Sequence, residues 1–97
     1  MSNQILNEIE AGNRRFLLRT PVDVTVSVDD GLWVNEAKSL PILAVGSTRD
    51  EALNSFCDDF ATLWDQIATA PDNALTGDAI RVKRAFGDMV QSVATIT

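Results

Sequence analysis

The stretch that decides the fold is residues 39–53, S-L-P-I-L-A-V-G-S-T-R-D-E-A-L, in which a short apolar run leads directly into a helix. Pro41 has no N–H and is tolerated at the start or at the edge of a strand. The four residues after it, 42–45, are all apolar, and Gly46 ends the run. The first half of the stretch therefore predicts a short strand.

The second half of the stretch predicts a capped helix. The hydroxyl of Thr48 can accept a hydrogen bond from a free amide of the first turn, and Glu51, three residues later, can reach back to the Thr48 amide. Asp50 and Glu51 also lie where the positive end of the helix dipole stabilises acidic side chains. Along residues 49–68, apolar residues recur three and four positions apart: Ala52, Leu53, Phe56, Phe60, Leu63, Trp64 and Ile67. We therefore predict a core helix of about five turns that begins at Arg49.

Upstream of this joint, a period of two predicts a β-hairpin. Valine alternates with polar residues, which places four valines on one sheet face: Val22, Val24, Val26 and Val28. Residues 29–31, Asp-Asp-Gly, predict a turn into a second strand over residues 32–37. Trp33 alternates with Leu32 and Val34, so it either covers the second face of the sheet or is exposed for contact with a partner.

The N-terminal residues contain two further patterns. Residues 1–12 carry Ile5, Leu6 and Ile9 at helical spacing and reach Gly12, which predicts a short helix. Residues 14–19, R-R-F-L-L-R, are apolar in the middle and basic at both ends, which suits either an edge strand or an exposed docking segment. The interpretation we favour is a first strand that runs into the next element. The second alternative makes four of them candidates for contact with another protein: Arg14, Arg15, Phe16 and Arg19.

The C-terminal residues predict a loop and a second helix. Pro, Asn and Gly mark residues 69–77 as a loop, after which Thr76 or Asp78 can cap a helix over residues 78–93. Its apolar stripe comprises Ala79, Val82, Phe86, Met89, Val90 and Val93. Because a small sheet need not cover the whole stripe, Phe86 and Met89 are further candidates for protein contact. The basic residues Arg81, Lys83 and Arg84 are interpreted as a solvated face.

Together these patterns predict one α+β domain over residues 1–97. We expect a small antiparallel sheet of three to four strands packed against the long central helix, with a short N-terminal helix and a second C-terminal helix. The unpaired edges of such a sheet and the apolar stripe of the second helix would both be covered by symmetric association. The sequence therefore predicts a homo-oligomer, most simply a dimer.

Composition bears on function. The 97 residues include no histidine and one cysteine, Cys57, which removes the commonest acid/base catalyst and leaves no pair for a disulfide. We expect no catalytic residue, no metal site and no cofactor. A net charge of −6 disfavours nucleic acid as a partner and favours a small basic protein. No apolar run approaches the roughly 20 residues that span a bilayer, and no leader pattern opens the chain, so we expect a cytoplasmic protein without membrane contact.

One arrangement of residues resembles a known family. Leu40 and Pro41, then Gly46 and Thr48, then the acidic pair and alanine at residues 50–52 follow a strand, turn and strand in the order found in HicB-like antitoxin domains. The resemblance covers about residues 22–68. It implies a β-β-β-α unit with a partial RNase H-like fold and a non-catalytic, antitoxin-like role in binding another protein.

Two alternative functions stay open at the level of sequence. The RNase H-like resemblance raises a metal-dependent nuclease, for which Asp23, Glu51 and Asp58 would have to converge on paired metal ions. A small-ligand site between Trp33 and the helices is the other alternative.

Overall fold

The computed structural model describes residues 2–96. In chain order its elements are β1 (Ser2–Ala11), β2 (Arg14–Asp29), β3 (Leu32–Ala37), β4 (Leu43–Gly46), α1 (Arg49–Leu63), α2 (Gly77–Met89) and β5 (Val90–Thr95). A π-helical turn over Trp64–Ala68 continues α1, and a single 3₁₀ turn, Asp72–Ala74, precedes α2. The protein is therefore α+β, with an antiparallel sheet and two helices. No helix within residues 2–96 is long and apolar enough to cross a membrane.

Strand β2 is the centre of the sheet. It pairs with β1 on one side, while on the other side it pairs first with β5 and then with β3, which in turn pairs with β4. The strand changes neighbours near Pro21, which has no N–H to donate to a ladder. At the same point β1 has a bulge between Leu6 and Glu8. The sheet therefore has five strands, one more than the upper limit of the prediction.

The predicted N-terminal helix is wrong, because residues 2–11 form β1. Leu6 and Ile9 lie three apart, a spacing that would put them on opposite faces of a regular strand. The bulge between them reverses the alternation, so Leu6 is opposite Val22 and Ile9 is opposite Phe16, both on the face that carries the core. The bulged strand thus imitates helical spacing in the sequence.

The segment 14–19 is the start of a strand, and the second helix is shorter than predicted. Residues 14–19 run on into the valine-rich part of β2, as the first-strand interpretation predicts. Because residues 14–18 lie between β1 and β5, they form neither an edge strand nor a free docking segment. The second helix ends at Met89, four residues earlier than predicted, and Val90 has extended backbone angles. The β-branched Val90 and Val93 belong instead to β5.

The core lies between one face of the sheet and both helices. Buried valines of β2 contact buried side chains of α1 on the sheet face that the alternation predicts: Val22, Val24, Val26, Phe56 and Phe60. Phe60 stacks edge-on against Phe16 and Phe86, with ring centroids 5.3 and 5.2 Å apart, and Trp64 makes the same kind of contact with both. These four aromatic rings join β2, α1 and α2.

The joint between β4 and α1 has the predicted cap with one change of partner. The amide of Glu51 donates to the Thr48 hydroxyl oxygen at 3.1 Å, which confirms Thr48 as the N-cap. The Glu51 carboxylate accepts from the amide of Ser47 at 3.0 Å and from its hydroxyl, not from the Thr48 amide. These Ser47 bonds lower the pKa of Glu51 from its usual value.

Candidate functional site

The apolar residues that the sequence offers for protein contact lie in the core. Phe16 and Phe86 are fully buried, and Met89 is almost so. All three pack in the layer between β2 and the helices, where the four aromatic rings meet. Their side chains therefore reach no surface of this chain.

The basic residues among the candidates do not share a surface either. Arg14 donates two hydrogen bonds to the Asp65 carboxylate, at 2.7 and 2.8 Å, and lies over the Phe16 ring. Arg15, the next residue in the strand, turns to the opposite face of the sheet and pairs with Glu10 at 2.9 Å. Arg19 is exposed, two residues before Pro21 in β2. Arg14 and Arg15 thus form ion pairs within the fold at two separate places.

Trp33 is half-buried and packs against the core. Its neighbours Leu32 and Val34 lie on the outer face of the sheet, the face that neither helix covers. Trp33 therefore lies on the face that carries the core and does not cover the second face of the sheet. The small-ligand alternative requires a space between Trp33 and the helices, but the groove described below lies at the other end of β4.

The outer face of the sheet carries a group of aliphatic side chains on β3 and β4. We call it the outer patch: Leu32, Val34, Leu43 and Val45. Val34 is opposite Val45 in the ladder, and Leu32, Leu43 and Val45 are 44%, 56% and 43% exposed. Both helices pack on the other face, so no described residue covers the patch. The sequence pattern missed it because residues 42–45 are uniformly apolar, whereas only Ile42 and Ala44 are buried.

The charged residues of the outer face lie beside the patch. Asp23 pairs with Lys38 at 3.3 Å, and its other carboxylate oxygen is buried without a hydrogen-bond partner among residues 2–96. Glu36 is exposed and lies opposite Leu43. The aliphatic surface is thus bordered by carboxylates.

A groove of about 210 Å³ lies between the start of β4 and the second half of α1. The residues lining it are Pro41, Ile42 and Leu43 on the strand side and Asp59, Thr62, Leu63 and Gln66 on the helix side. The last four follow the spacing i, i+3, i+4 and i+7, so they share one helix face. Asp59 makes no ion pair with any other residue in the described range.

The strand beside this groove has unpaired backbone groups. The amide of Ala37 donates to the carbonyl of Ile42 at 3.0 Å. Ala44, two residues after Ile42, therefore turns its peptide groups toward β3 in the same way. In an antiparallel pair, alternate residues turn their N–H and C=O toward the neighbouring strand. Leu43 and Val45 therefore turn their peptide groups away from β3, toward the open edge of the sheet.

The three carboxylates of the nuclease alternative do not meet. Asp23 lies on the outer face of β2, whereas Glu51 and Asp58 belong to α1, which packs on the opposite face. The sheet thus separates Asp23 from the other two, and Glu51 is engaged by Ser47. Cys57 is half-buried, and its burial raises the pKa of the thiol.

The chain was also compared with known proteins. It matches no family model, no curated protein and no solved structure. The interpretation of the outer patch and of the groove therefore depends on their geometry and charge.

Proposed function

We propose that the protein is a non-catalytic protein-binding module that forms a homodimer through the outer patch. The observation that carries the proposal is the exposure of Leu32, Leu43 and Val45 on a sheet face that no helix covers. Aliphatic side chains that adjoin one another on an open sheet face are stabilised when a second surface removes them from water. A second copy of the chain supplies an identical aliphatic surface.

The size of the face is adequate for such an interface. A stable interface takes about 800 Å² from each partner, and the chain exposes 5807 Å² in all. The molecule is a slab of 41 × 34 × 19 Å, and the sheet forms one of its broad sides. Two sheets packed face to face would lie about 10 Å apart, so that the aliphatic side chains of both copies would interdigitate.

The basis for self-association differs from the one drawn from the sequence. Phe86 and Met89 of the second helix are already buried within the chain, so that stripe gives no reason for dimerisation. The open face of the sheet supplies the reason instead. The resemblance of residues 40–52 to HicB-like antitoxin domains supports a role in binding proteins, and an antitoxin-like role toward a small basic protein is part of the proposal.

Leu32→Lys tests the dimer. The register places residue 32 opposite Asp29, so a lysine there has an acidic cross-strand neighbour and the fold should persist. Leu17→Lys is the matched control, because Leu17 is also exposed, lies outside the patch and is opposite Glu8. At high micromolar concentration, sedimentation should give twice the 10.6 kDa chain mass for the wild type and for Leu17→Lys, and the chain mass for Leu32→Lys.

Two results would overturn the proposal. One is a wild-type protein that sediments as a 10.6 kDa monomer at that concentration. The other is dissociation by both lysine variants alike, because an association that depends on charge and not on the patch would respond to either. Circular dichroism of each variant checks that the fold is retained.

A further inference from the structure

We infer that the groove between β4 and α1 binds an extended segment of a partner protein in which an aliphatic residue has a lysine or arginine two positions away. This inference rests on the proposed protein-binding role. It uses the backbone edge of β4 and the groove beside α1, whereas the outer patch uses the side chains of Leu43 and Val45 on the other face of the sheet. The groove presents three features together: an open strand edge, an apolar floor and a carboxylate. Each feature selects one property of the bound segment.

The open edge selects an extended backbone. Leu43 and Val45 turn their N–H and C=O groups outward, as the Ala37–Ile42 hydrogen bond determines. A segment in β conformation that runs along β4 can pair with both residues and extend the sheet by one strand. Strand addition of this kind is largely independent of sequence, so the remaining features have to supply the specificity.

The apolar floor selects an aliphatic side chain. Two aliphatic side chains line the groove from its two sides. Ile42, which is buried, directly precedes β4, and the half-buried Leu63 belongs to α1. Alternate side chains of an added strand point to the same side of the sheet, and here that side is occupied by α1. An aliphatic side chain at such a position would fill the groove over Ile42 and Leu63.

The helix side of the groove selects a positive charge. Asp59 has no ion-pair partner within residues 2–96, and the neighbouring Asp58 is also exposed. Thr62 and Gln66, on the same helix face, add hydrogen-bonding groups. A lysine or arginine two positions from the aliphatic residue points to the same side of the added strand and would pair with Asp59, whereas a phosphate backbone would be repelled by it.

A second copy of this chain does not provide such a segment. Its basic and apolar run at residues 14–18 is held within β2, between β1 and β5. The other basic cluster, Arg81, Lys83 and Arg84, belongs to the helix α2. The occupant is therefore a different protein.

The inference is tested with a capped peptide of about seven residues that has valine at its centre, lysine two positions away on each side and threonine elsewhere. This valine–lysine peptide is titrated into the full chain and followed by backbone amide shifts in NMR; the valine–glutamate peptide has glutamate in place of both lysines. We expect the largest shifts at Leu43, Val45 and the groove side of α1. Asp59→Asn should weaken binding about threefold to fivefold. Asp59→Lys should bind a valine–glutamate peptide more tightly than the valine–lysine peptide. Asp50→Asn, on the first turn of α1 and outside the groove, is the matched control and should bind as the wild type does.

Two N-methylated peptides test the backbone pairing. In one the amides of the valine and the lysines are methylated and in the other the threonine amides, and only one of the two sets can face β4. We expect one of these peptides to bind like the parent and the other to bind at least tenfold more weakly. Equal binding by both, loss of binding by both, or no response to Asp59→Lys would overturn the inference.

The same titration is run on Leu32→Lys. If that variant is monomeric and still binds the peptide, the two surfaces are independent. If the peptide binds but the wild type is a monomer, self-association fails while the groove assignment stands. If the wild type dimerises but no peptide binds, the groove assignment fails while self-association stands.

Discussion

At the scale of single residues, Gly46 determines how closely the sheet and α1 approach each other. A Cβ atom at this position would lie 2.8 Å from the backbone carbonyl carbon of Glu51 and would also clash with the amide nitrogen of Ala52. The sequence predicts Gly46 as the end of a strand, but it contains no sign that the first turn of α1 packs against it. The requirement for glycine here comes from contact between two backbones.

Gly46→Ala should lower the free energy of unfolding by about 1–3 kcal/mol, because backbone atoms must move to accommodate the methyl group. Gly87→Ala is the matched control: its Cβ would meet no atom within 4 Å, and it lies in α2. That control should raise the free energy of unfolding by about 0.5–1 kcal/mol, because alanine favours the helix. Urea unfolding of the two variants measures both changes, and equal effects would contradict the close approach at Gly46.

At the scale of elements, local signals were predicted well and long-range pairing was not. The start of α1 depends on Thr48 and its neighbours, so the sequence alone locates it. Strands β1 and β5 form because β2 supplies hydrogen bonds along both of its edges, and no short window of sequence contains that information. A helix was therefore predicted for residues 1–12 and carried through residues 90–93.

The same reason explains what was missed in the candidate surfaces. Exposure of Leu43 and Val45 depends on which face of β4 is covered by helix. A run of four apolar residues does not indicate which of its two faces is buried. The sequence pattern puts Asp59 only among the polar positions of the predicted helix. Its position in a groove depends on how α1 lies along β4.

Phe60→Ala tests the packing of α1 against the sheet. Phe60 is fully buried and contacts the rings of Phe16 and Phe86. Truncation of a buried aromatic side chain should lower the free energy of unfolding by about 3–5 kcal/mol. Thr62→Ala, two residues along on an exposed face, should change it by less than about 0.5 kcal/mol. A loss below about 1 kcal/mol for Phe60→Ala in thermal or urea unfolding would mean that α1 packs in another register.

At the scale of the whole molecule, a few ion pairs join segments that are distant in sequence. Arg14 of β2 holds Asp65 in the turn that follows α1, and Lys83 of α2 holds Asp72 at 2.8 Å. Lys83 also donates to the carbonyl of Ala70 at 2.6 Å. Hydrogen bonds from Arg14 and Lys83 lower the pKa of Asp65 and of Asp72, respectively, from their usual values.

Stability should therefore fall at acidic pH. A carboxyl group whose pKa is lower in the folded state than in the unfolded state stabilises the fold above its unfolded pKa, which is about 4. The contribution of Glu51, Asp65 and Asp72 is lost as the pH drops through their lowered folded values. Because these groups are exposed to solvent, each individual effect is small.

Asp65→Asn should reduce this acid sensitivity. The difference in melting temperature between pH 7 and pH 3 should be smaller for Asp65→Asn than for the wild type, since the variant has no carboxylate to protonate at the Arg14 contact. Asp58→Asn is the control, because Asp58 is exposed and makes no ion pair with another residue in the described part of the chain. Equal pH dependence of the two variants would mean that the Arg14–Asp65 pair is absent in solution.

The pairing of β2 with both near and distant strands also predicts an order of folding. Strands β1 to β4 each pair with the strand before or after them in the chain, so their contacts close short loops. Strand β5 pairs with residues of β2 that precede it by 72 positions or more, and closing so long a loop is entropically slower. We therefore expect the four-stranded meander with α1 to assemble first, and α2 and β5 to dock afterwards. On this order Phe86, which belongs to α2, completes the aromatic core in the last step of folding.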